Sequence, residues 1–250
     1  MIKDEKIYAV YSSASEIYVA GFTESINATI KGRQGWLLVL SQNGDSIWSH
    51  DYGIIGVSDE LHDIIALNND YLLLVGTTQS LIEAGKTDVF IFIIRKSTRG
   101  IENFVTLFKT GKEKGIKALR APTGEIFILG TSQISDNKNN IYIWKISEDL
   151  SVIQEKQISA TISETPSDII YENGSLIIIG TAFNEQSNED ILVYALDNNF
   201  NILSRNTFGS RDNQKGISGV ISNRNVIIGG SVYSKGTSKA SLFKTPEILP

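Results

Sequence analysis

Apolar residues fall in short runs along the whole chain, and polar clusters end each run. The stretch from Tyr71 to Gly111, YLLLVGTTQSLIEAGKTDVFIFIIRKSTRGIENFVTLFKTG, shows this most clearly, with LLLV, VFIFII and FVTLF each closed by Gly, Ser, Thr or Lys. Such lengths, with so much Ile, Val and Phe, predict strands and not helices. The runs are nearly continuous instead of alternating, so both faces of the sheet they form are expected to be buried. A single antiparallel sheet cannot bury both faces by itself. It needs a similar sheet on each side, and a repeating sequence supplies them.

The repeat is marked by a glycine closing the second strand of each unit: Gly21 (IYVAGFTES), Gly76 (LLLVGTTQS), Gly130 (IFILGTSQIS), Gly180 (LIIIGTAF) and Gly230 (VIIGGSVYS), at spacings of 55, 54, 50 and 50 residues. A first strand beginning with Ile precedes each marker, at Ile7, Ile64, Ile116, Ile169 and Ile217, joined to it by SSAS, NND, APTG, ENG or SNRN. Turns of that composition supply or preset the dihedrals of tight hairpins. After each marker come a polar loop, a third strand (WLLVL, VFIFII, IYIWKI, ILVYAL and the weaker ASLF), a tight turn and a fourth strand such as SIWSHDY. Four strands in up-and-down order make one blade, and five blades make a propeller. The fold expected is therefore an all-β, five-bladed β-propeller in one domain, 1–250, with blades at about 1–58, 59–112, 113–163, 164–211 and 212–250. Only KTPEILP follows Phe243, so the last blade is expected to be incomplete, with Pro246–Pro250 forming a short edge or cap.

At these residues the chain resembles the propeller repeats of secreted and surface proteins of Bacteroidetes-like bacteria, whose units read roughly GGYxxxGxTxS, DVWxxKxDxxGN and then YGG. The second copy carries YLLLVGTTQS and AGKTDVFIF, and the first carries GWLLVLSQNGDSIW and DYG. Leu150 and Phe200 stand where the turn glycine is usual, and YGG shrinks to Tyr52-Gly53 or Phe208-Gly209. The resemblance implies an extracellular, cell-surface or periplasmic interaction module, often one part of a larger protein. The start, MIKDEKIYAV, has no apolar signal segment, which fits a mature fragment or an excised domain.

Composition removes several classes of function. A net charge of −5 without a Lys/Arg cluster argues against nucleic acid as a partner, and no apolar run is long enough for membrane insertion. There is no cysteine, and His50 and His62 are the only histidines, so disulfides, thiolate metal sites, a cysteine nucleophile and the common zinc sets are excluded. No GxSxG, Walker, HExxH or EF-hand pattern occurs, and neither a cofactor nor a metal is expected.

Individual residues read mostly as structure. The marker glycines are expected where backbones approach or a strand bulges. Asp88 and Asp190 should accept backbone N–H bonds, and Trp36, Trp48 and Trp144 should pack between blades. The sequons at Asn27–Thr29 and Asn173–Ser175 are discounted as chance matches. In an up-and-down blade the long, variable loops share one face, and binding would be built there. The starts of the first strands would ring that mouth with His62, Asp63, Lys114, Asp168 and Lys215, with Glu60 and Glu164 further out.

On this reading the protein is a monomer or part of a larger chain. Its leading function is a non-catalytic scaffold, not an enzyme, that binds a protein or surface polymer through the long-loop face. A carbohydrate-binding lectin is the alternative. A glycoside hydrolase is the second alternative, since that chemistry needs little more than paired carboxylates.

Overall fold

The computed structural model describes residues 4–24, 32–53, 57–79, 83–136, 138–160, 162–183 and 188–247. Their regular structure is strand throughout. The first sheet runs β1 (Glu5–Ser12), β2 (Glu16–Thr23), β3 (Gln34–Ser41) and β4 (Ser46–Tyr52), and the second β5 (Asp59–Ala66), β6 (Tyr71–Gln79), β7 (Thr87–Arg95) and β8 (Ile101–Leu107). The third holds β9 (Lys112–Arg120), β10 (Ile126–Ser135), β11 (Lys138–Ile146) and β12 (Val152–Ile158). The fourth holds β13 (Glu164–Glu172), β14 (Ser175–Phe183), β15 (Glu189–Asp197) and β16 (Ile202–Phe208). The fifth has three strands, β17 (Asn213–Ser222), β18 (Asn225–Ser234) and β19 (Thr237–Lys244). Each sheet pairs its strands in sequence order, so the fold is an all-β, five-bladed β-propeller whose last blade has three strands among the described residues. Thr245 extends the last pairing by one residue through its N–H to the Val226 carbonyl, 3.0 Å. Residues 248–250, the sequon at Asn27–Thr29 and the loop tips at 25–31, 54–56, 80–82 and 184–187 lie outside the described residues.

The chain divides into two compact units, residues 1–130 with 145–154, and residues 131–144 with 155–250. In the first, Tyr18, Ala20, Leu37 and Val39 pack with Leu61, Leu72, Leu74, Phe90 and Phe92 in one core between the first and second sheets. In the second, Ile177, Ile179, Ile191 and Val193 pack with Val226 and Ile228 between the fourth and fifth. These are the continuous runs of the sequence, buried on both faces by neighbouring sheets.

The repeat glycines have a steric cause. A side-chain carbon at Gly76 would lie 2.0 Å from the Glu60 carbonyl oxygen, and the same clash with a first-strand carbonyl holds at Gly21, Gly180 and Gly230. Opposite each of these glycines the first strand bulges by one residue, between Ile7 and Ala9, Leu61 and Asp63, Pro166 and Asp168, and Gly216 and Ser218. Where the turn before the fourth strand lacks glycine, Leu150 (φ 68°) and Phe200 (φ 61°) take the left-handed conformation themselves. Both side chains are buried, and that burial offsets the roughly 1–2 kcal/mol such a backbone costs.

The tryptophans divide. Trp144 is fully buried and stacks on Tyr142 with ring centres 5.4 Å apart. Trp36 and Trp48 are half-buried, and the Arg99 guanidinium lies over Trp48. Trp144→Ala should therefore cost about 3–5 kcal/mol of stability by denaturant unfolding. A loss below about 1 kcal/mol, the scale of a surface change, would contradict the burial of this ring.

Candidate functional site

The start of β5 meets side chains of the first sheet in a group that sequence spacing does not reveal. Glu60 and His62 share the half-buried side of the strand, while Asp63 is buried in the sheet interface. The Glu60 carboxylate pairs with the Arg33 guanidinium and accepts a hydrogen bond from the Tyr8 hydroxyl at 3.0 Å. His62 Nε2 lies 3.4 Å from Oε2, the same oxygen that Tyr8 contacts, and the His62 ring stacks on Tyr8 with centres 4.5 Å apart. Burial by itself would raise the pKa of Glu60. Its bonds to His62, Arg33 and Tyr8 outweigh that and lower the value from the usual 4.5 to about 2. For Tyr8, burial and the neighbouring Glu60 charge act in the same direction and raise the phenol to about 12. Glu60 is thus a carboxylate held ionised and oriented from three sides.

It faces a cavity of about 300 Å³ within the first unit. Ser58, Thr77, Gln79, Lys86 and Lys114 contribute to the wall. The cavity sits where β5 and β9 begin and where β6 runs into the loop before β7, which is the long-loop side of these sheets. Lys86 is tied to Glu83 and donates to the Thr110 carbonyl at 2.8 Å. Lys114 is exposed on the rim. Glu60 is the carboxylate among the lining residues, so the wall joins one fixed negative charge to two ammonium groups and several hydroxyl and amide groups.

The residues expected at the mouth separate into different environments. His62 belongs to the Glu60 group and Lys114 to the cavity wall. Asp63 is buried, where it accepts the Ala118 N–H at 2.9 Å and pairs with Lys117 at 3.3 Å. Burial outweighs these partners, and its pKa is raised. Asp168, the matching residue of the fourth sheet, accepts the Ser218 hydroxyl at 2.6 Å and the Gly219 N–H at 3.1 Å. Both aspartates thus join one first strand to the next. Lys215 pairs with Glu189 at 2.9 Å in the second unit.

Other carboxylates are buried in structural roles, and of these Glu113 escapes a reading based on spacing. Glu164 is almost fully buried, receives the Tyr194 hydroxyl at 2.8 Å and is gripped by Arg205 at 2.6 and 2.8 Å. Glu113 accepts the Gly111 N–H at 2.8 Å. A side-chain carbon at Gly209 would lie 1.8 Å from Asp190 Oδ1, so the glycine surviving from the YGG element is what admits that carboxylate. The signal available in the sequence is an acid or amide one residue before Glu60 and its counterparts, Asp59, Glu113, Glu164 and Gln214, each of them buried. These groups tie loops to strands. Among the described residues no cluster of three or more His, Asp or Glu side chains forms a metal site.

No protein-family model and no curated protein matches the sequence. The fold, however, matches solved structures over nearly its whole length. A thermostable family-43 glycoside hydrolase aligns with 100% of this chain and 95% of its own, at 12% identity and a TM-score of 0.50. A GH43 β-1,3-galactosidase bound to galactodeoxynojirimycin aligns over 94% and 88%, at 8% identity and a TM-score of 0.53. An acylaminoacyl peptidase from Pyrococcus horikoshii aligns over 96% of this chain and 38% of its own, at 9% identity and a TM-score of 0.51. At these identities the likeness is one of fold.

The expectations of a non-catalytic scaffold and of a protein that is not an enzyme are overturned by this finding. Structures that align over nearly all of this chain and most of their own length include family-43 glycoside hydrolases. The scaffold reading rested on variable loops carried by a rigid repeat and on the lack of a catalytic constellation in the sequence. In a propeller a site is assembled from strands far apart in sequence, such as the segments holding Tyr8, Arg33, Glu60 and Lys114, so the absence of a motif carries little weight.

The Glu60 group yields a pH prediction. A carboxylate whose pKa is lowered on folding stabilises the protein above its unfolded value of 4.5, and that contribution disappears as pH falls towards about 2. Glu60→Gln should therefore cost stability at pH 7, about 2 kcal/mol or less after solvent screening. In denaturation curves the gap between the two proteins should close between pH 4.5 and 2. A gap independent of pH would show that the charge of Glu60 contributes nothing.

Proposed function

We propose that this propeller is a glycoside hydrolase working at the Glu60 cavity. The observation that carries the reading is an ionised carboxylate, oriented by Arg33, Tyr8 and His62, on the wall of a cavity of about 300 Å³. That volume is at the lower end of small-molecule sites and suits one or two sugar rings. Glycosidic cleavage passes through a transition state with oxocarbenium character. A negative charge fixed before the substrate arrives stabilises that state without reorganisation. Glu60 is the one carboxylate among the described wall residues, so as the glycosidic C–O bond breaks the leaving oxygen takes its proton from the Lys114 ammonium on the same wall, and the water that adds to the anomeric carbon returns a proton to Lys114. Arg33 and Tyr8 keep Glu60 in one orientation, and Thr77 and Gln79 offer hydrogen-bonding groups to sugar hydroxyls. Whole-length likeness to family-43 glycoside hydrolases supports the same reading.

We further infer that the chain works outside the cytoplasm and belongs with the propeller repeats of secreted and surface proteins of Bacteroidetes-like bacteria. The support is the partial repeat motif, above all YLLLVGTTQS and the DVF-led third strand. An extracellular or periplasmic site would also bring the cavity to polymeric glycans. Fractionation of the source cells followed by immunodetection checks this, and recovery in the cytoplasmic fraction alone would refute it.

The activity is tested with aryl glycosides and oligosaccharides of the common hexoses and pentoses, followed by released phenol or reducing ends. Turnover of at least one substrate is expected, and Glu60→Gln should lower kcat on the order of a hundredfold with the melting transition still cooperative. Binding without cleavage across the panel, or cleavage indifferent to Glu60→Gln, would sink the proposal.

A further inference from the structure

Among the described residues, the fifth sheet is the one whose third strand has no fourth strand beside it. In the other four sheets that neighbour is always seven residues long: β4, β8, β12 and β16. Its last residue is Tyr52, Leu107, Ile158 or Phe208, the first three of them buried. Where a fourth strand is present the third strand is largely buried, as in β7, where seven of nine residues are inside. β19 is exposed along most of its length, and Leu242 is 81% exposed. Among the described residues nothing pairs with its outer side.

We propose that β19 is a docking edge for an extended, acidic segment of a partner protein, which completes the fifth sheet as its fourth strand. Pairing in the sister sheets sets the register. The last residue of the fourth strand faces the residue just before the one paired with the marker glycine, namely Gly35, Val89 or Ile191. Gly230 pairs with Ser241, so the corresponding residue is Ala240. An apolar residue at position seven of the incoming strand therefore lands opposite Ala240. Position three, which faces Val39, Ile93 or Ala195 in the sister sheets, lands opposite Lys244, and position eight opposite Lys239. The Thr245 N–H bonds the Val226 carbonyl on β18. Strand alternation then turns the N–H groups of Ser238, Ala240, Leu242 and Lys244 outward, free to pair.

Charge selects the occupant. Lys239 and Lys244, both exposed on this edge, oppose pairing with a second copy, because edge lysines are a common guard against self-association. The same two ammonium groups complement a strand with carboxylates at positions three and eight. The inference is independent of the Glu60 cavity, which lies in the other unit.

The probe is an octapeptide copying Ile101–Phe108 with Asn103→Glu and Phe108→Glu, and its control carries Lys at both positions. Amide spectra of the labelled protein should show saturable shifts confined to β19 and its immediate neighbours, with the acidic peptide about three- to tenfold tighter. Ala240→Pro removes an outward donor at an edge that tolerates proline and should abolish binding with the melting temperature unchanged. If that variant fails to fold, the pair Lys239→Glu and Lys244→Glu should reverse the preference between the peptides. Three results would each overturn the proposal: no localised shifts at millimolar peptide, equal affinity for both peptides, or outward amides already protected from exchange in the free protein. In the last case sedimentation distinguishes a second copy on the edge from cover by the chain itself.

Discussion

A carbonyl oxygen lodged where a side chain would otherwise stand is the contact on which this architecture depends. In the first, second, fourth and fifth sheets the repeat glycine of the second strand leaves room for the carbonyl of the residue before the bulge, Lys6, Glu60, Thr165 or Lys215. Without that space the first strand could not bulge, and without the bulge the side chains after it would face the other way. In the second sheet the carbonyl pressed against Gly76 belongs to Glu60 itself. The contact that builds the blade therefore lies at the residue whose carboxylate faces the cavity.

Buried polar groups form a second layer of constraint. Asp63 and Asp168 accept backbone N–H groups from the next first strand, while Glu113 and Glu164 fasten loop and outer-strand groups to the start of their own sheets. Apolar packing between sheets has no direction and tolerates sliding, whereas a carboxylate bonded to two or three donors does not. These acids fix the register in which the isoleucine-rich faces meet. An unsatisfied donor left by removing one would cost about 1–3 kcal/mol.

The same arrangement separates the acids that hold the fold from the one proposed to act. Glu113 and Glu164 are buried and committed to protein partners. Glu60, one position further along its strand than Asp59, has comparable bonds but also borders open space. A group that is both held in place and accessible can stabilise charge in a bound molecule, and this places the glycosidase reading at Glu60 instead of at the more deeply buried carboxylates.

The sequence by itself determined the strands, their order, the five-fold repeat and the short last blade. Each of these follows from local chemistry: apolar runs of strand length, turn residues with preset dihedrals and glycines at a constant place in the unit. It also explains why Leu150 and Phe200 fill a glycine position, since both bring side chains that the core can bury. What only the tertiary structure decided is which polar side chains meet. Position at the start of a strand does not say which way a side chain faces, so Asp63 is expected at a mouth and Glu60 outside it, whereas the fold buries the first and presents the second. Tyr8, Arg33 and Glu60 are separated by whole strands of sequence and come together through inter-sheet packing. No local pattern of residues records that meeting.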